Sequence, residues 1–270
     1  MIPLRVTSGR ASLAVEDTGA RDMKTVLLLH AGVTDKRSWT PVVDRLGADV
    51  RCISYDRRGY GDTEYDTDDG WSPVADAVAV LDAAGVDAVI AIGCSIGGGT
   101  AVDLALAHPD RVSALVLIAP AIGGAPEPEL KPLVAELDAQ IDAADAVADL
   151  DAVNRLEAHL WLDGAGHEGR VSGHVRDLFL DMNARAISAL DPGTTADAPD
   201  AWSLLDRITV PVLFVVGGRD LRHFHAQARD AAAALPDGRV VDVPESAHLP
   251  HLEGAASALD AISDFVAARA

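Results

Sequence analysis

Acyl transfer by a side chain needs a hydroxyl or thiol nucleophile, a base beside it and an acid to orient the base. One stretch presents the first of these in a specific context: Gly93-Cys94-Ser95-Ile96-Gly97 ends the apolar run Ala88 to Ile92 and opens a run of helical period. A Gly-x-Ser-x-Gly at a strand-to-helix junction holds the serine in a sharp, strained turn, which only small flanking residues permit. Ser95 is the candidate nucleophile. The amide of Ile96, at the start of the following helix, is a candidate donor to a developing oxyanion. Cys94 should point the other way, into the core. The competing reading, a phosphate-binding glycine turn, lacks both Gly-x-Gly-x-x-Gly at the first βα turn and Gly-Lys-Ser/Thr.

A base and an acid both lie downstream. Asp220 follows Val212-Leu213-Phe214-Val215-Val216-Gly217-Gly218-Arg219, and His248 follows the run Val240 to Val243 through Pro244-Glu245-Ser246-Ala247. An Asp after a strand is often only a helix cap, and the chain holds nine histidines. What singles out these two is their shared placement beyond strand ends. Glu127 and Glu129, soon after the strand ending at Pro120, are the rival acids. His223 and His225 are spaced i, i+2, on different helix faces. His159, His167 and His174 lack a matching Cys or carboxylate pattern. No metal and no cofactor are expected.

The elements that must position these residues follow from periodicity. Short β-branched or leucine-rich runs recur at Val26 to Leu29, Val50 to Tyr55, Ala88 to Ile92, Ala114 to Ile118, Val210 to Val216 and Val240 to Val243, after a leading hairpin of Leu4 to Val6 and Ser12 to Val15. Helical patterns between them (Val74, Val78, Leu81; Val102, Leu104, Leu106; Leu259, Ile262, Phe265, Val266) predict an α/β fold, a mostly parallel eight-stranded sheet with helices on both faces. Pro109 and Pro236 mark helix ends. Between Pro120 and Val210 the strand signal vanishes for too long to be a bare loop, so residues 123–202 are expected to be a helical cap inserted into a core of 1–122 and 203–270. Its helical faces are Leu130, Leu133, Val134, Leu137 and Ile141; then Val147, Leu150 and Val153; then Val175, Leu178, Phe179 and Met182, with Gly164, Gly166, Gly169 and Gly173 between the last two.

Composition bounds the partners. A 270-residue chain with a net charge of −20 would repel a phosphate backbone, so nucleic acid is excluded. Strongly anionic substrates are disfavoured unless the pocket is locally basic. Cys52 and Cys94 both lie in apolar runs, arguing against a disulfide framework. With no signal-peptide pattern and no apolar run of about 18 residues, the expectation is a cytoplasmic protein with no membrane partner. Nothing chooses between monomer and homodimer.

Several of these segments together resemble the α/β-hydrolase superfamily, nearest its esterases and 3-oxoadipate enol-lactonase-like members. His30-Ala31-Gly32-Val33 followed by Trp39 resembles the family's His-Gly oxyanion turn, with Ala31 where Gly is usual. Tyr55-Asp56-Arg57-Arg58-Gly59-Tyr60-Gly61-Asp62-Thr63 resembles the loop after its fourth strand. Gly217-Gly218-Arg219-Asp220 and His248-Leu249-Pro250-His251-Leu252-Glu253 resemble its acid and histidine loops, with Ala247 where Gly is common. The order Ser, Asp, His is the one that fold uses. The resemblance implies a serine hydrolase of a small ester or lactone. It gives the second oxyanion amide to Gly32, or to Val33 if the register shifts by one, and a turn-shaping role to His30, with Asp56 and Arg57 holding the adjacent loop. Val33, Trp161, Phe179 and Leu249 are the candidate substrate contacts. The same scaffold also supports non-hydrolytic or C–C-cleaving chemistry (oxygenation, perhydrolysis, diketone hydrolysis) and a catalytically silent binding module.

Overall fold

The central apolar runs become strands because nearly every residue in them is buried, while the edge runs bury fewer of theirs. In the computed structural model, which describes residues 2–19 and 23–269, the strands are β1 (Ile2–Ser8), β2 (Ala11–Asp17), β3 (Thr25–Leu29), β4 (Arg51–Tyr55), β5 (Glu64–Tyr65), β6 (Val89–Cys94), β7 (Val112–Ile118), β8 (Val212–Gly217) and β9 (Gly238–Val243). They form one sheet in the order β1-β2-β4-β3-β6-β7-β8-β9, with β5 paired to β2. Pairing is parallel from β4 through β9 and antiparallel where β1, β4 and β5 meet β2. The eight strands expected from sequence form the main path. The two-residue β5 was too short to leave a periodic signal. Gly9, at φ +51°, supplies the backbone turn that joins β1 to β2.

Side chains alternate between two apolar layers. Leu27, Leu29, Ala91, Leu115, Leu117, Phe214 and Val216 face one side, where they meet α2 (Pro73–Ala84), α3 (Ile96–Ala107) and α7 (Arg222–Ala234). Val26, Leu28, Ile90, Ile92, Val116, Leu213 and Val215 face the other, against α1 (Thr40–Leu46) and α8 (Ala256–Ala267). Each fully buried aliphatic side chain contributes about 1.5–3 kcal/mol, which places the stability of the molecule in these layers.

Among the described residues no strand lies between Ile118 and Val212. That stretch holds α4 (Pro132–Asp145), α5 (Leu150–Glu157), a π-helical segment over Ala158–Gly164, and α6 (His174–Ile187). Not every residue of the expected apolar faces is buried. Val134 and Leu137 are, whereas Leu130 and Leu133 are exposed. Val147 is 74% exposed in the turn between α4 and α5, where Ala148 adopts φ +55° and the Asp149 side chain accepts the Ala152 amide to start α5. An alanine- and aspartate-rich segment has weak periodicity, which hides such ends. No helix among the described residues is long and apolar enough to cross a membrane.

Candidate active site

Strand β3 leads to β4 on one side of the sheet, while β6 pairs with its other side. In an open parallel sheet such a reversal leaves a crevice beyond the carboxyl ends of the strands, where ligands bind. The turn after β3 carries Gly32 and the turn after β6 carries Ser95.

Ser95 sits at φ +53° and ψ −121°, a conformation that costs a non-glycine residue about 1–3 kcal/mol. The strain persists because its backbone is pinned. Its amide donates to the Ile118 carbonyl at 2.9 Å, and its carbonyl accepts from Gly99 at 3.0 Å and Ala121 at 2.9 Å. The flanking glycines are required by contact. A Cβ at Gly93 would run into the Gly97 carbonyl, and one at Gly97 would run into the Leu29 carbonyl. Ser95 itself is half-buried.

Asp220 and His248 meet. The imidazole Nδ1 lies 2.9 Å from the Asp220 Oδ2, with side-chain exposures of 2% and 1% for His248 and Asp220. The other carboxylate oxygen accepts the Leu221 amide at 2.7 Å, which fixes the acid's rotamer. A carboxylate accepting from Nδ1–H leaves Nε2 as the free basic nitrogen. Glu127 and Glu129, the rival acids, are exposed and, among the described residues, hydrogen-bond to no histidine. The histidine loop reaches the elbow directly, since the Cys94 thiol donates to the His248 carbonyl at 3.7 Å. Cys94 is fully buried, and burial holds its thiol well above the usual range, with Asp220 adding to the effect.

The imidazole is held between two rings. Trp161, from the π-helical segment, and Phe224, from α7, both place their centroids 4.8 Å from that of His248. The His248 amide also donates to the Trp161 carbonyl at 3.3 Å. Trp161 was a sequence candidate for contacting substrate, and it stands against the imidazole. Phe224 was not anticipated, because an aromatic residue near the start of a helix reads as ordinary packing. The sequence reading assigned no role to two further residues, Arg170 and Glu253. Glu253 accepts the Ala247 amide at 2.9 Å and pairs with Arg170 at 2.6 Å, while Arg170 also donates to the carbonyls of Leu162, Asp163 and Glu245. These bonds join the segment between the π-helical turn and α6 to the histidine loop. Arg170 lies in a glycine-rich linker with no periodicity to mark it.

Gly32 packs against Ile96, whose Cδ1 would touch a Cβ there at 3.0 Å. Among the described residues neither amide donates to a protein acceptor. Val33 is half-buried beside Gly32. Phe179 and Leu249, the remaining candidate contacts, are completely buried in the α8-side layer, so they pack the core and present no surface to solvent. His30 is also fully buried. Its Nδ1 bonds the Ala31 carbonyl at 2.8 Å and its Nε2 accepts the Arg57 amide at 3.0 Å. Burial, reinforced by the Arg57 charge, pushes its pKa down to about 4, so at neutral pH it is an uncharged brace for the turn. Asp56 accepts the Lys36 ammonium at 2.6 Å and the amides of Lys36 and Asp62, tying the neighbouring loop to the segment after β3. The Arg57 Nε and Nη1 are buried without a partner among the described residues.

Comparison with known proteins agrees with this architecture. The alpha/beta hydrolase family model matches residues 26–261. A Bacillus subtilis (strain 168) protein provisionally named 2-succinyl-6-hydroxy-2,4-cyclohexadiene-1-carboxylate synthase is 30% identical over 256 residues, covering 89% of each chain. The pimeloyl-[acyl-carrier protein] methyl ester esterase of Neisseria meningitidis serogroup C / serotype 2a is 29% identical, covering 90% of this chain and 94% of that one. Among solved structures, the enol-lactonase from Burkholderia xenovorans LB400 superposes with a TM-score of 0.72 at 25% identity, covering 95% of this chain and 97% of that one. A family match of that extent, on a sheet of this topology, makes the chain a member of the alpha/beta hydrolase family.

Proposed function

We propose that this protein is a serine hydrolase that cleaves a carboxylic ester or lactone of a small molecule through an acyl-enzyme. The observation that carries the reading is the convergence of a strained Ser95 with a buried imidazole–carboxylate pair whose backbone touches the residue next to it. Esterases and an enol-lactonase among the relatives support the same substrate class.

In this mechanism Nε2 of His248 takes the Ser95 proton as Oγ attacks the carbonyl carbon. The carbonyl π-electrons move to oxygen, where the amides of Gly32 and Ile96 receive the negative charge. Asp220 holds the tautomer and stabilises the imidazolium that forms. Collapse of the intermediate expels the alkoxide, which takes the proton back from His248. Water then repeats the sequence on the acyl-enzyme and frees Ser95. Residues 123–202 act as the cap, with Trp161 packing over the base and Val33 bordering the carbonyl site.

Measuring turnover of short p-nitrophenyl esters and small lactones by wild type and Ser95→Ala tests the assignment. The variant should retain its fold and lose turnover by about 10⁴-fold or more. Unchanged turnover in a folded variant would refute it.

A further inference from the structure

A cavity of about 620 Å³ opens on the acid loop, sharing only Asp220 with the proposed catalytic constellation. Its lining includes Lys131, from the loop before α4; Arg219, from the turn after β8; and Arg222 and Arg229, from α7. On a chain with 42 acidic and 22 basic residues, four cations facing one concavity are out of keeping with the rest of the surface. Among the described residues, Lys131, Arg219 and Arg222 form no ion pair, whereas Arg229 pairs with both oxygens of Asp242 at 3.3 and 3.4 Å. The one carboxylate in the lining belongs to Asp220, and its oxygens are taken by His248 and the Leu221 amide. Leu133, Val134 and Leu221 give the cavity an apolar wall.

We infer that this cavity is a recognition site for a small molecule bearing two or more phosphoryl groups, its organic part against Leu133 and Val134. Lys131, Arg219 and Arg222, which form no ion pair, repel one another, and an anion removes that cost. Guanidinium forks match phosphate oxygens in bidentate fashion. Three guanidiniums and one ammonium carry more charge than one carboxylate would use, and the volume lies within the range of small-molecule sites. The remainder of the chain repels anions at long range, so selectivity must reside locally here. The phosphoryl groups belong either to the ester substrate as a handle or to a separate effector.

The test is calorimetric titration of the full chain with inorganic pyrophosphate at low salt. Saturable binding is expected, weakened at least about tenfold in Arg219→Ala/Arg222→Ala and falling as salt rises. Lys131→Ala, in an exposed loop, is the second variant should the double one melt early, and it too should bind more weakly. No saturable heat, or affinity unchanged in these variants, overturns the site. This readout needs no turnover, so it fails or succeeds independently of the serine mechanism. The source is then separated kinetically. A handle makes pyrophosphate competitive against a phosphate-bearing ester alone, whereas an effector changes kcat for a neutral ester as well.

Discussion

Replacing His251 with Phe should remove a large part of the protein's sensitivity to acid. His251 is fully buried, stacks on Trp39 at 4.3 Å, and neither ring nitrogen has a partner among the described residues. Burial, with His248 nearby, pushes its pKa down to about 3; burial and Arg57 push that of His30 to about 4. In the unfolded chain both titrate at about 6.5. Below that pH the unfolded state takes up protons that the native state refuses, so this stability is fully present above about pH 6.5 and is lost as pH falls towards the native values. At pH 5 the loss comes to about 2 kcal/mol for each ring. Asp103 works in the opposite sense. Burial raises it to about 6, so acid returns about 1 kcal/mol. The Phe variant keeps the stack on Trp39 and cannot titrate. Its loss of stability between pH 7.5 and 5, measured by urea denaturation, should be smaller than that of wild type by about 2 kcal/mol. Equal losses in the two proteins would refute the argument that a proton-refusing imidazole lies under the histidine loop.

Asp220→Asn should lower kcat by about 10³- to 10⁴-fold with little change in melting temperature, because the amide preserves the volume but no longer selects the tautomer; a fall below tenfold in ester hydrolysis would contradict the pairing at 2.9 Å. Gly97→Ala drives a methyl into the Leu29 carbonyl, with the His30 carbonyl at 2.5 Å, and should destabilise the fold by about 3 kcal/mol or more in chemical denaturation. A neutral result would mean that the elbow is looser than its contacts imply.

The parts of the site that could be read from sequence are those whose chemistry is tied to local backbone geometry. Gly93 and Gly97 are legible because no other residue fits where strand and helix cross, and that requirement locates Ser95. Asp220 and His248 are legible because each follows an apolar run that could only be a buried strand. Asp220 was preferred to Glu127 and Glu129 on its placement after a strand, and its carboxylate lies 2.9 Å from the His248 imidazole. The roles of Phe224, Arg170 and Glu253 were hidden because contact across the fold is a tertiary fact. Their partners are distant in sequence, and nothing in their neighbours distinguishes a ring against His248 or an ion pair beneath it from ordinary packing and surface charge. Phe179 and Leu249 illustrate the converse. Residue type suggested a pocket, while complete burial in the α8-side layer assigns them to the core.

The central claim is that the Ser95 oxygen becomes covalently acylated. Intact mass measurement after treatment with a fluorophosphonate, followed by peptide mapping, tests it most directly. One adduct per chain is expected, on the peptide containing Ser95, absent from Ser95→Ala and slowed sharply in His248→Ala. A folded protein that hydrolyses esters yet takes no adduct, or takes it on another residue, would contradict the account.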